Sequence, residues 1–278
     1  MGKELGGLEQ LKGKKVALLF HDSPYGKEPI PALLALAQKY GFEFHSIPVP
    51  HPGLEQETQW RSIQLITPEY VLLWGWGVMN SAALKHAATV GYPRDRMIGV
   101  WWSGSEADVA PAGDDAKGYK ALMLHWSGKF RVHADIERYV YAKGKGSGKT
   151  VQIVEVLYNR GLIGAMLGVE GIRKAQGKFG KTPLTGEQIR WGLEHLELDQ
   201  VRLKELGFEG MMMPVKVSCA DHEGARTARV QQWDGKMWKV ISGWYTADET
   251  LTEPIVIEVS AKYAAEKKIS PRDCSKED

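Results

Sequence analysis

The chain has 278 residues, with 43% hydrophobic and 25% charged residues, so it is long enough to bury a sizeable core in one or two globular domains. A formal net charge of +2 is too small to mark nucleic acid or an anionic membrane as the main partner. No run of about 18 apolar residues appears, and the opening MGKELGGLEQLKGKK has no apolar h-region, so no membrane span or secretory leader is read in this chain.

The predicted elements begin with a short apolar strand, KVALLF, at 15–20, followed by the turn-rich loop HDSPYGKEP. Helical spacing over 30–40 stops before Gly41, and 42–49 reads as a second strand containing Pro48. A helix over 56–66 leads to a third strand at 70–74, and a helix over 80–89 leads to a fourth at 97–102. A fifth strand follows at 119–125. This β-α-β-α-β-α-β order with short connections predicts a parallel sheet with helices on both faces. In such sheets ligands sit beyond the carboxyl ends of the strands, where the loops at 21–28, 74–80 and 101–108 fall.

Beyond about residue 128 the pattern is helical, over 134–142 and 151–175 and again from Thr185. β-like pieces return after Gly210, where Asp234-Gly235 between alternating apolar residues signals a hairpin. A helix over 260–268 and a charged tail end the chain.

Ten tryptophans are present, and four of them, Trp74, Trp76, Trp101 and Trp102, stand at strand ends in LLWGWGVMN and GVWWSGSE. Side chains alternate along a strand, so Trp74 and Trp76 should share a direction and the adjacent Trp101 and Trp102 should not. One ring from each loop then faces the ligand end; the alternative is that all four cap the core. KGKGSGKT at 143–150 resembles a phosphate loop, but Lys143 stands where its first glycine belongs and a helix precedes it. It reads as a basic inter-helix loop. Ser103 lacks a nucleophile elbow, because Trp101 replaces the first glycine. His21, His125 and His222 have no spacing that ties them to a nucleophile or a zinc motif. Neither an enzyme nor a cofactor or metal site is expected. Cys219 and Cys274 match no metal spacing and are either a disulfide or two unrelated thiols.

The strings KVALLFHDSPYGKE, ITPEYVLLWGWGVMNSAALKHAATVG and MIGVWWSG, followed by YNRGLIGAMLGVEGIRKA and TGEQIRWGLEHL, resemble type I periplasmic binding proteins. The likeness is to the branched-chain amino-acid and amide receptors of ABC transporters, and it runs from about residue 8 to residue 260. It implies an α/β fold of doubly wound parallel sheets in two lobes, joined by three hinge strands and closing on a small ligand. Residues 1–124 and 228–278 match the second lobe, and 125–227 the later part of a first lobe whose opening half has no counterpart here. The resemblance further implies a periplasmic location with a signal peptide upstream, and an ABC transporter permease as partner. A cytoplasmic ligand sensor on the same fold, regulating a partner protein, is the alternative.

Within that family Tyr25 matches a tyrosine that packs on the ligand, and Trp76 a second aromatic after the third strand. A carboxylate after the fourth strand normally pairs with the ligand's ammonium group. Trp101 and Trp102 stand about there, with no acid until Glu106. Asp22 and Ser103 are further candidates for polar ligand contacts. An unpaired ammonium in a closed cleft is costly, so the expected ligand is an aromatic or hydrophobic carboxylate or amide, or a quaternary amine held by cation–π contact. The oxidising compartment that the family implies favours a Cys219–Cys274 bridge.

Overall fold

A computed structural model describes residues 1–276. It divides into two compact units, residues 1–123 with 228–267, and residues 124–227 with the segment from 268 onward.

The first unit opens with the one-turn helix α1 (Gly2–Leu5) and then β1 (Lys15–His21). After these come α2 (Pro24–Lys27), α3 (Ile30–Tyr40), β2 (Glu43–Val49), α4 (Glu57–Ile66), β3 (Tyr70–Trp74) and α5 (Val78–Thr89). β4 (Met97–Gly99), α6 (Glu106–Val109) and β5 (Lys120–Met123) complete the alternation. Five consecutive buried positions in β1 suit a central strand covered on both faces. β1 pairs in parallel with β2 on one side and β3 on the other, and β3, β4 and β5 continue in parallel. The strand order therefore reverses at β1, between β2 and β3. In this architecture that reversal opens a crevice at the carboxyl end.

The fourth strand is shorter than its apolar run suggested. It ends at Gly99, and Trp101–Ser103 curl into a 3₁₀ turn instead of extending the sheet. The 3₁₀ turn removes the strand alternation on which the expected directions of Trp101 and Trp102 rested.

The second unit contains α7 (Arg131–Tyr139), α8 (Val156–Phe179), α9 (Gly186–Glu194), β6 (Glu197–Leu198), α10 (Gln200–Leu206) and β7 (Val215–Lys216). β6 and β7 form a small antiparallel ladder. α8 and α9 approach closely at small residues: a β-carbon on Gly192 would lie 2.1 Å from the Gly171 carbonyl oxygen. Met166, Leu198, Leu203, Phe208, Met211 and Met212 form the core under these helices. The phosphate-loop look-alike lies between α7 and α8, with a helix and no strand before it.

The chain returns to the first unit in β8 (Thr227–Trp233) and β9 (Trp238–Val240), the hairpin signalled by Asp234-Gly235, and β10 (Tyr245–Thr246). β8 lies antiparallel on β5 and extends the parallel sheet. α11 (Glu249–Lys267) starts eleven residues before the expected 260. Asp248 accounts for that: its backbone carbonyl takes the N–H groups of Leu251 and Thr252, and its carboxylate takes the Thr250 hydroxyl. The tail after Lys267 groups with the second unit, not with the sheet. Cys274 is joined to Cys219 there, with their α-carbons 5.7 Å apart, and Arg272 bonds Glu194 at 2.8 Å.

Candidate functional site

Three loops meet at the carboxyl end of the parallel sheet in the first unit. The loop after β1 is shaped by Ser23, whose hydroxyl caps α2 by accepting from the Gly26 N–H, with Pro24 in the first helical position. This turn aims Tyr25 at the next loop, where its hydroxyl donates to the Gly75 carbonyl at 3.2 Å. Burial pushes the Tyr25 phenol well above its ordinary range, with the Glu28 and Asp108 carboxylates adding to the effect. Tyr25 therefore stays a protonated donor at physiological pH.

The loop after β3 is Gly75-Trp76-Gly77. Gly75 admits no side chain, since a β-carbon would lie 2.2 Å from Asn80 Oδ1. Its carbonyl receives a second hydrogen bond, at 3.1 Å, from the hydroxyl of Ser103 in the loop after β4. Asn80, buried in the first turn of α5, donates its amide to the Trp102 carbonyl at 3.2 Å and to Asp108 Oδ1 at 2.7 Å. The other Asp108 oxygen accepts from the backbone and hydroxyl of Ser105, at 2.8 and 2.6 Å, and so caps α6. From below, the buried Tyr119 hydroxyl donates to the Ser103 carbonyl at 3.0 Å, and Gln231 on β8 donates to the Gly104 carbonyl at 2.6 Å.

On this frame stand the rings. Trp76 is 55% exposed and Trp102 38% exposed, with centroids 6.1 Å apart. Trp101 lies against Trp102 at 4.5 Å. β3 ends at Trp74, which is half-buried against the cluster of Leu18, Phe20 and Leu33 with its ring 6.4 Å from that of Tyr25, while Trp76 beyond the strand stands in the open. The Trp101 and Trp102 rings lie against each other at a 32° tilt, within the 3₁₀ turn that replaces the strand expected there.

The polar candidates separate in the same way. Asp22 is exposed and pairs with Lys27 at 2.7 Å. Ser103 is fully buried, and its hydroxyl is committed to the Gly75 carbonyl. Tyr25, Trp76, Trp101, Trp102 and Ser103 thus come together around one node, and Asp22 lies on the rim of the first loop. Asn80, Asp108, Tyr119 and Gln231 were not singled out by sequence reasoning. Only the glycines of GWG and SGS, and the Ser-x-x-Asp spacing of a capping box, hinted at a tightly tied edge.

The sequence profile of the periplasmic binding proteins matches residues 3–237. The chain belongs to this family. No curated protein matches it. Among solved structures, one described as an ABC transporter permease from the Pseudomonas fluorescens group is 49% identical with a TM-score of 0.90, covering 98% of this chain and 66% of that one. A valine-bound branched-chain amino acid ABC transporter protein from Thermus thermophilus shares the fold at 22% identity and a TM-score of 0.71, over 89% of this chain and 64% of that one. A solute-binding protein from R. palustris in complex with benzoate shares it at 16% identity and a TM-score of 0.59, over 84% and 60%. This periplasmic binding protein chain therefore spans less than two thirds of the length of each of these structures. Its parallel sheet with flanking helices is that of the type I fold.

Proposed function

We propose that this chain belongs to the solute receptor of an ABC transporter of the branched-chain amino acid type, working in the periplasm and delivering its ligand to a permease, without catalysis of its own. We further propose that Tyr25, Trp76, Trp101 and Trp102 form the ligand wall, and that the ligand is a planar aromatic or hydrophobic carboxylate or amide.

The observation that carries this reading is the run of rings from Trp76 through Trp102 to Trp101, standing at the carboxyl edge with two of its members open to solvent. Large apolar surface is costly to expose and contributes strongly when a ring covers it, at about 25 cal/mol per Å² plus ring–ring terms. The charge pattern points the same way. Asp108 is occupied as a helix cap by Ser105 and Asn80, and Asp22 is held by Lys27, so neither is placed to receive an ammonium group.

The test is calorimetric titration of the chain with benzoate, phenylacetate, benzamide, valine and leucine. An aromatic acid or amide should bind at least tenfold more tightly than either amino acid. Tighter binding of valine or leucine would overturn the aromatic assignment.

A further inference from the structure

We infer that Asn80 is a positioning residue that fixes the spacing between the Trp76 and Trp102 rings, and through it the preference of the wall for planar ligands. The inference rests on the ligand-wall reading above. Asn80 stands where the two ring-bearing loops meet α6. Its amide holds the carbonyl of Trp102 and the carboxylate of Asp108, and its oxygen meets the α-carbon side of Gly75 one residue before Trp76. Both amide hydrogens are used, one on each acceptor, so any rotation of the side chain would leave a buried carbonyl or carboxylate without that donor.

The consequence for recognition is geometric. The Asn80 bond fixes the backbone that carries the Trp102 ring, and the Trp101 ring packed against it at 4.5 Å limits its rotation, so together they set its distance from Trp76. A wall with fixed ring spacing accepts a flat ring and meets a branched aliphatic group with poor contact, because dispersion falls steeply over fractions of an ångström. A wall free to shift would lose that discrimination. Asn80 thus touches no ligand; it acts through Trp102.

A paired exchange separates this role from simple structural support. In Asn80→Asp alone, two carboxylates face each other across the 2.7 Å now spanned by a hydrogen bond, and folding should fail or weaken sharply. Adding Asp108→Asn reverses donor and acceptor. The amide at 108 can donate to the carboxylate at 80 while its oxygen still accepts from Ser105, so the helix cap survives. The Trp102 carbonyl, however, then faces an acceptor in place of its donor.

The double variant should therefore regain most of the wild-type melting temperature. Its near-ultraviolet tryptophan circular dichroism should differ from wild type, and the ratio of valine to benzoate dissociation constants should fall at least tenfold. A double variant with wild-type near-ultraviolet dichroism and a wild-type ratio would reduce Asn80 to a partner of Asp108 and overturn the inference. Should wild type bind neither benzoate nor valine, the ligand reading fails separately. The ligand-free dichroism then still decides the positioning role, unchanged bands refuting it and altered bands supporting it.

Discussion

Each unit contains one buried asparagine in the first turn of a helix, and each uses it to tie down a distant loop of its own unit. In the first unit Asn80 holds Trp102 and Asp108. In the second, Asn159 donates to the carbonyls of Trp126 and Gly128, at 2.9 and 3.4 Å, while its oxygen faces Nε2 of the buried His133 at 2.8 Å. His133 closes its own circuit by accepting the Phe130 N–H on Nδ1, so Nε2 carries its proton. The device is shared but its surroundings differ. Around Asn159 the network encloses polar groups and closes on itself, whereas around Asn80 it props up tryptophans that stay open to solvent. A closed network of this kind stabilises a fold; one that holds exposed rings in place prepares a surface.

The sharpest break of this comparison is Asn159→Ala. It leaves two carbonyls and the His133 N–H without their partner, and buried unsatisfied groups cost about 1–3 kcal/mol each. We expect chemical denaturation to show a loss of about 3 kcal/mol or more, with the ligand selectivity of the first unit unchanged in the folded fraction.

Next in size is a pH effect confined to the second unit. His125 is buried, and desolvation with the nearby Arg160 charge lowers its pKa to about 4, while Arg160 Nε donates to its Nε2 at 3.2 Å. The unfolded chain binds this proton near the ordinary histidine value of about 6.5. The stability tied to neutral His125 is thus fully present above about pH 6.5 and is lost as pH falls toward about 4, a change of about 3 kcal/mol by linkage. His125→Gln should flatten the stability profile across that window. An equally steep decline in the variant would place the acid sensitivity elsewhere.

For the first unit the expected signature is reversed. Trp76→Ala removes a largely exposed ring, so stability should move by about 0.5 kcal/mol or less. Binding of the preferred ligand should weaken about tenfold, or about 1.4 kcal/mol. A titration with an unchanged dissociation constant would remove Trp76 from the wall. The smallest effect belongs to Asp22→Asn, which breaks an exposed pair with Lys27 worth about 0–1 kcal/mol. Melting temperature and affinity should both stay near wild type, and a large loss of affinity would mean that Asp22 touches the ligand.

Much of the fold was legible because hydrophobic periodicity reports local structure directly. The helix at 30–40 and the strand at 70–74 have the bounds that spacing and their flanking breakers suggest, and Asp234-Gly235 makes the turn of the β8–β9 hairpin. The early start of α11 was hidden because Pro254 and a β-branched run interrupt its helical pattern, while the cap at Asp248 decides where it begins. At the site, residue type and position along the chain marked Tyr25, Trp76, Trp101 and Trp102. Neither could tell that Trp74 would be half-buried while Trp76 stays open, or that the Trp101 and Trp102 rings would lie together at 4.5 Å, because both outcomes depend on where a strand stops.

The sequence by itself determined the order of strands and helices, the placement of aromatic loops at the carboxyl end of a parallel sheet, and membership of the periplasmic binding protein family. The first two are consequences of period and turn chemistry, carried by neighbours along the chain; the family shows in the likeness of particular strings and in the profile match over residues 3–237. Only the tertiary structure decided which polar side chains are spent inside. Asn80 meets Asp108 across 28 positions, Gln231 meets Gly104 across 127, and Ser103 gives its hydroxyl to Gly75. Contacts between residues so far apart leave no periodic trace in the sequence, and packing alone brings them within hydrogen-bond reach.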